Sequence, residues 1–427
     1  MKKRYAIVGV SGRSKSYTDR ILGDFRDRAE IVALLDRNEA RIADFNETNR
    51  LSLPGYSENE FSRMIEETRP DAVIISTTDG THATYLVAAM EHHIDAICEK
   101  PMAIDADQVR AVLAAEAASR ASITVTLNYR YAPVTTRIRE LILDEAIGRP
   151  TQVDFNYYLD TFHGASYFKR WNRYAAQSGS LLVTKASHHF DLVNWMIDQD
   201  PVEVFAYGAL NYYGPDGPEN PERIDGRRCS TCGDKCAYYR RHASGDGSQD
   251  EHLINFNNPG KNELFARSDG YYADRCIFDS DIDTWDTFSL SVRYAGGVMM
   301  SYSLNASLPY EGYRLAINGT GGRIESDAVH GGPARLPFPE PPAQNIRLFP
   351  LFGRMQTIDV VDREGGHGGA DPLIMHEIFN GRDESDRTGG FAGARAGAMS
   401  SLVGIAARES LRSGRPVRIA DLLADIA

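Results

Sequence analysis

The sequence predicts a two-domain α/β protein. A parallel sheet with crossover helices is expected over residues 1–130, and a second α/β domain on an open, mainly antiparallel sheet over 131–427. Three observations predict this. The first 130 residues alternate short apolar runs with helical patterns, as parallel strands and their crossovers require. From about Gly148 the runs lengthen, become rich in Tyr, Phe and Val, and meet at glycine-containing turns, as antiparallel strands do. Finally, 427 residues exceed what one hydrophobic core usually serves.

In the first domain strands are expected at 5–10, 31–35, 72–76, 96–98 and 123–127, with helices at 41–49, 61–67, 84–93 and 106–120. The last helix has a start signal, since Asp105 and Gln108 have capping-box spacing. The second domain reads as strands at 151–159, 202–210, 287–294, 298–304, 313–318 and 323–326, with helices at 192–197, 373–379 and 394–413. Two stretches break the rhythm: a Cys-bearing insertion at about 211–283, and a Pro-rich segment at 331–342.

With 47 basic and 59 acidic side chains, the net charge is −12, and no long Lys/Arg run is present. A surface for nucleic acid or anionic membrane needs a positive footprint, so neither partner is expected. The apolar stretch behind Met1-Lys2-Lys3-Arg4 is too short for a secretion signal, and no run approaches the ~18 apolar residues that cross a bilayer. A cytoplasmic location is expected.

After the first strand, Gly9-Val10-Ser11-Gly12-Arg13-Ser14 leads into a helical pattern. Such a turn approaches a pyrophosphate closely and presents free helix amides to it. Of the G-x-G-x-x-G template only Gly9 keeps its place; Ser11 and Ser14 stand where glycines are expected. Asp36, ending the second strand, can accept both ribose hydroxyls and would repel a 2′-phosphate, which favours NAD. Arg37 beside it can pair with a 2′-phosphate, so NADP stays open.

At Glu99-Lys100-Pro101 the sequence resembles the glucose-fructose oxidoreductase, inositol dehydrogenase and MocA (Gfo/Idh/MocA) family. Further matches are Ser76-Thr77-Thr78 with His82, Asn128-Tyr129-Arg130, and residues 179–195, which hold His188, His189 and Asp191. The resemblance covers nearly the whole chain. It implies a Rossmann domain followed by a substrate-binding domain, and NAD(P)-dependent hydride transfer to or from a secondary alcohol or ketone of a sugar, cyclitol or sugar derivative. It also implies that Gly9, Ser11, Gly12, Arg13, Asp36, Arg37, Thr77, Thr78, His82, Glu99, Lys100 and Asn128 line the cofactor. Two other functions stay open on this fold: redox-assisted glycoside cleavage with a retained NAD, and non-catalytic sugar or nucleotide sensing. Open sheets with an apolar outer face commonly pair in this family, so a homodimer or homotetramer is expected.

Removing a hydride from a secondary alcohol needs a base for the hydroxyl proton and a cation beside the developing alkoxide. The resemblance assigns Lys100 to hold the hydroxyl; the peptide before Pro101 is a candidate for the cis form. The family's second catalytic element is an aspartate four residues before a histidine. Counting back from His188, that position is Thr184, followed by Lys185. Threonine is no carboxylate, so either the partner comes from elsewhere or Lys185 takes a catalytic part: a second lysine near Lys100 would lower the pKa of one of the two by repulsion, giving a neutral amine able to act as base. Adjacent helical histidines point about 100° apart. His188 is expected to transfer the proton, His189 to contact substrate or structure, and Asp191 to orient a neighbour or lie on the surface.

Aromatic residues crowd the stretch 157–174, and rings pack well against the C–H faces of sugars. The expected substrate contacts are Arg130, His163, Tyr167, Trp171, Lys185, His189 and His367, with Lys169, Arg170 and Arg173 as further donors to hydroxyls. His367 sits in Gly365-Gly366-His367-Gly368-Gly369, a composition suited to a loop closing over a pocket. Cys229, Cys232, Cys236 and Cys276 have a spacing that can hold a structural zinc, with His242 or His252 as substitutes for Cys276. Cys98 reads as core.

Overall fold

The computed structural model describes residues 1–220, 223–232, 236, 259–330, 337, 344–361, 363 and 365–424. The first domain is a six-stranded parallel sheet ordered β3-β2-β1-β4-β5-β6. Its strands are β1 (Lys3–Val8), β2 (Ala29–Leu35), β3 (Gly55–Tyr56), β4 (Ala72–Ile75), β5 (Asp95–Cys98) and β6 (Ile123–Val125). The connecting helices are α1 (Gly12–Leu22), α2 (Glu39–Asn49), α3 (Phe61–Thr68), α4 (His82–Glu91) and α5 (Ala106–Ala117). The chain reverses direction across the sheet between β1 and β4, and ligands bind in open α/β sheets at the carboxyl ends of strands flanking such a point. Two-residue β3 has no periodicity to read, which is why sequence reasoning missed it.

Asp105 caps α5 by accepting from the Gln108 amide at 2.8 Å. The return half of the capping box does not form: the Gln108 side chain instead takes the Ile104 amide at 3.0 Å and donates to the Gly80 carbonyl at 2.9 Å. It thereby ties α5 to the loop after β4.

The second domain is a nine-stranded sheet ordered β14-β13-β12-β11-β7-β10-β9-β8-β15. It comprises β7 (Pro150–Asp160), β8 (Pro201–Ala209), β9 (Thr287–Tyr294), β10 (Met299–Leu308), β11 (Glu311–Gly319), β12 (Gly322–His330), β13 (Asn345–Pro350), β14 (Gln356–Asp359) and β15 (Val417–Arg418). Its pairings are antiparallel except β10 with β7, which run parallel. The inner positions of β9 and β10 bury Phe288, Leu290, Val292, Met300, Tyr302 and Leu304. The outer positions are Ser289, Ser291, Arg293, Met299 and Ser301. The expected apolar outer face is therefore mostly polar on these strands.

The helix Ala394–Ser413 matches its predicted limits and lies against β8, α5 and the helix Ser187–Ile197, joining the two domains. Gly404 permits that closeness, because a Cβ there would meet the Leu182 carbonyl oxygen at 2.2 Å. One apolar core runs from Val8 and Val125 through Phe190 to Leu402. The helix Gly366–Asn380 returns to the first domain, where Phe379 meets Tyr5 edge-on at 5.4 Å. Among the described residues no helix is long and apolar enough to cross a membrane. Apart from residue 337, the Pro-rich segment at 331–342 lies outside the described residues.

Candidate active site

The turn from β1 to α1 is built for close approach. Gly9 has φ +93°, and a Cβ there would sit 2.8 Å from Ser76 C and Thr77 N, so the turn lies directly on the loop after β4. Ser11 and Ser14 cap α1 reciprocally: the Ser14 amide donates to Ser11 Oγ at 3.3 Å and the Ser11 amide to Ser14 Oγ at 2.9 Å. This explains serines where glycines were expected. The amides of Gly12 and Arg13 stand in the first helical turn without intrahelical acceptors, and nothing lies within 4 Å of a Cβ built on Gly12. Free amides, a helix N-terminus and open space fit a diphosphate. Asp36 accepts from the Val10 amide at 2.7 Å and the Asn38 amide at 2.8 Å, which binds the ribose-recognising carboxylate to the turn.

Four residues assigned to the cofactor, Arg13, His82, Glu99 and Asn128, have internal partners. Arg13 donates to Glu99 Oε1 at 2.7 Å and lies 3.7 Å from Asp371 Oδ2. Buried Glu99 also accepts from the Tyr17 hydroxyl. Burial opposes ionisation of Glu99, but Arg13, Tyr17 and Lys100 prevail and hold its pKa below the ordinary value. His82 is buried, with Nδ1 2.8 Å from the Pro101 carbonyl oxygen and Nε2 3.2 Å from that of Thr77. It braces the loops that carry Thr77, Thr78 and Lys100. Asn128 donates to Asp371 Oδ1 at 2.5 Å while its own Oδ1 is buried without a partner.

Lys100 stands two residues beyond β5, its bond to Pro101 is cis, and Nζ donates to the Thr184 carbonyl at 2.7 Å. Burial pushes its pKa down to about 8; Asp79 and Glu99 pull it up, and Lys185 pulls it down. The predicted repulsion between the lysines is present, though smaller than burial. His188 is buried with Nδ1 unpartnered, and its ring lies 4.9 Å from Tyr129 and 5.7 Å from His367. Burial, then Lys100 and His367, holds His188 well below the usual imidazole range, so it is neutral at neutral pH. His189 points elsewhere, as the helix geometry predicted. Its Nδ1 lies 2.7 Å from the Tyr302 hydroxyl and its ring stacks on Tyr157 at 4.0 Å.

Sequence reasoning missed the carboxylates of this site. Glu311, the first residue of β11, accepts from the Tyr157 hydroxyl at 2.6 Å, pairs with His163 Nδ1 at 2.8 Å, and lies 3.5 Å from Lys185 Nζ. Burial raises the cost of its charge, yet His163 and Lys185 hold its pKa well below the ordinary value. Lys185 also lies over the Tyr157 ring at 4.8 Å, and His163 stacks on Tyr167 at 5.4 Å. Asp79, after β4, is buried with Oδ2 unpartnered, and its carboxyl contacts the Thr184 side chain. Burial lifts it to about 6 against the pull of His82 and Lys100. Asp371 pairs with His367 Nδ1 at 3.1 Å, and His367 with the next two glycines takes positive φ, which delivers the imidazole edge-on to Tyr129 at 5.3 Å. No local pattern marks these acids; each follows an unremarkable turn or strand start.

Several expected substrate contacts are internal. Arg130 makes a two-point ion pair with Asp191 at 2.6 and 2.8 Å, both buried, because a guanidinium inside the protein needs a carboxylate. Arg173, fully buried, pairs with Asp279 and Asp281. Arg170 donates to the Ser166 carbonyl and hydroxyl. Trp171 is half-buried, its amide 3.4 Å from the Tyr271 hydroxyl. Lys169 is buried among Cys229, Cys236 and Cys276, and burial lowers its pKa to about 8. Among the described residues no group of three His, Cys, Asp or Glu side chains is placed to hold a metal. Cys229, Cys232, Cys236 and Cys276, the residues expected to hold zinc, form no disulfide, and buried Lys169 interacts electrostatically with Cys229, Cys236 and Cys276. His242 and His252 lie outside the described residues. Cys98 is buried in the core, as expected.

A Rossmann sheet with a phosphate-admitting turn, joined at Lys100 to an open-sheet domain, defines a class of dinucleotide-dependent oxidoreductases. Residues 3–128 match the oxidoreductase family NAD-binding Rossmann fold, and residues 139–419 match the oxidoreductase family C-terminal alpha/beta domain. The chain belongs to the Gfo/Idh/MocA family and is an NAD(P)-dependent oxidoreductase of that family. It is 45% identical over 429 residues to the "Putative oxidoreductase YteT" of Bacillus subtilis (strain 168), covering 98% of each chain. It is 26% identical over 209 residues to an inositol 2-dehydrogenase of Rubrobacter xylanophilus, covering 47% of this chain and 54% of the other. The fold matches the aldose-aldose oxidoreductase of Caulobacter crescentus complexed with glycerol at a TM-score of 0.62 and 17% identity, covering 98% and 100% of the two chains. It also matches the WlbA dehydrogenase of Bordetella pertussis, solved with NADH and UDP-GlcNAcA, at 0.63 and 16%, covering 98% and 99%.

Proposed function

We propose that the protein interconverts a secondary alcohol and a ketone on a sugar, cyclitol or sugar derivative. The observation that carries this reading is the electrostatic interaction of Lys100, two residues beyond β5, with the buried His188, whose ring lies 5.7 Å from that of His367. When bound, the dinucleotide accepts the hydride from carbon or returns it. Lys100 as ammonium holds the substrate oxygen and stabilises its developing negative charge. Neutral His188, whose Nδ1 has no hydrogen-bond partner among the described residues, takes the hydroxyl proton. Glu311 orients Lys185 and His163 toward further hydroxyls, and the rings of Tyr157, Tyr167 and Tyr129 supply faces for a sugar.

The test is reduction of NAD or NADP by the purified protein against panels of cyclitols, aldoses, anhydrosugars and glycosides, with products identified. Ketone formed in step with reduced dinucleotide supports the reading. Glycoside cleavage without net reduction would replace it with retained-NAD cleavage, and no hydride exchange with any compound would replace it with sensing. We also assign it to self-associate as a homodimer or homotetramer through the outer sheet face, where exposed Tyr207 and Met299 interrupt the polar positions. Sedimentation would test this: a monomer at micromolar concentration overturns it.

A further inference from the structure

We propose that the insertion lends a residue to the dinucleotide groove: Asp269 stands beside Asp36 at the adenosine-ribose end and selects NAD over NADP. This deepens the dinucleotide-dependent reading above and rests on it.

The insertion ends in a helix, Pro259–Asp269, that lies against α2 of the Rossmann domain. Phe265 of that helix receives the Arg41 guanidinium over its ring at 4.9 Å. The decisive residue is Asn38, which is wholly buried. Its backbone amide donates to Asp36 Oδ1 at 2.8 Å, and its side-chain oxygen caps α2 through the Ala40 amide at 3.1 Å. Its two side-chain N–H groups go to the insertion: one to the Phe265 carbonyl at 3.0 Å and one to Asp269 Oδ2 at 2.8 Å. A single asparagine therefore holds the carboxylates of Asp36 and Asp269 together. The Asp269 side chain is only 8% exposed and accepts the Tyr271 amide on Oδ1 at 2.9 Å, so its position is set from two sides.

Arg37 is the cation that left NADP open. Its NH2 lies 3.9 Å from Asp269 Oδ2, so the insertion carboxylate faces the guanidinium that a 2′-phosphate would require. The pair is half-exposed on the arginine side, and its direct energy is correspondingly small. The larger effect is electrostatic placement. Ribose hydroxyls donate to carboxylates, whereas a 2′-phosphate would enter a rim where the Asp36 and Asp269 carboxylates stand against Arg37 and Arg41, with Asp269 drawn onto Arg37.

Binding of NADH and NADPH to the full-length protein, followed by dinucleotide fluorescence without substrate, tests the role of Asp269. The natural protein is expected to bind NADH at least about a hundredfold more tightly. Asp269→Asn keeps the shape and removes the charge; it should narrow that preference about five- to tenfold, by tighter NADPH binding with NADH little changed. In Asp269→Asn with Arg37→Ala the gain should vanish, because the freed guanidinium is its source. An unchanged preference in Asp269→Asn, or equal loss of both dinucleotides, overturns the role of Asp269. Equal binding of both by the natural protein does the same, whereas binding of neither sinks the dinucleotide reading itself.

Discussion

Lys100 donates from Nζ to the carbonyl oxygen of Thr184 at 2.7 Å, across the boundary between the two domains. The bond brings the amine to the helix end where the family places an aspartate and this chain has none. Asp79 contacts the Thr184 side chain from the Rossmann side, so a carboxyl reaches the same point from the other domain.

Lys100→Met should abolish hydride transfer while leaving dinucleotide binding within a few-fold of normal. A fall in kcat of about 10²–10³ is expected from loss of the cation at the developing alkoxide. Stopped-flow reduction of NAD with the best substrate of the panel measures it; near-normal turnover would remove Lys100 from the chemistry.

The pH profile of alcohol oxidation should carry a descending limb near 8, where the Lys100 ammonium is lost. Asp79→Asn removes a carboxylate that favours the ammonium, so the limb should move to lower pH. Lys185→Ala removes a repelling charge, so it should move to higher pH. Limbs that stay in place in both variants would assign the titration elsewhere, and full turnover with normal substrate binding in Lys185→Ala would end a catalytic role for Lys185. The same depressed pKa has a consequence for stability. Between about 8 and the unfolded lysine value the unfolded chain binds the extra proton, so this group's contribution to stability rises with pH there and is lost as pH falls through about 8.

Glu311→Gln leaves Lys185 and His163 without their buried counter-charge. Truncating one partner of a buried pair costs about 3–5 kcal/mol, and urea unfolding should show a loss in that range with the slope unchanged. A shift below about 1 kcal/mol would mean that solvent reaches the cluster.

Gly9→Ala should weaken dinucleotide binding and stability together. At φ +93° an alanine is strained by about 1–3 kcal/mol, and its methyl would press on the backbone of Ser76 and Thr77. Calorimetric binding of NADH at unchanged affinity would show that the turn is free to open.

Much of the fold was legible. The strands of the first domain stand within a few residues of their expected limits, and the long helix at 394–413 stands on them, because apolar periodicity is a local property that survives folding. Lys100 and His188 were legible as well, since motifs carry them. Misreadings gathered at buried cations: Arg130, Arg173 and Lys169 were expected on sugar hydroxyls and are held by Asp191, by Asp279 and Asp281, and among cysteine thiols. An arginine in a polar stretch looks the same in sequence whether it meets solvent, ligand or a carboxylate.

The sequence by itself determined the two sheets and the glycine turn after β1, and it marked Lys100 and His188 by motif. Only the tertiary structure decided which acids stand beside which cations: Glu311 beside Lys185 and His163, Asp371 beside His367 and Arg13, Asp79 near Lys100, and Asp269 beside Arg37. The reason is electrostatic. A buried charge is tolerable only beside its counter-charge, and which carboxylate comes within about 4 Å of a given cation depends on how distant segments pack, a relation that no spacing along the chain records.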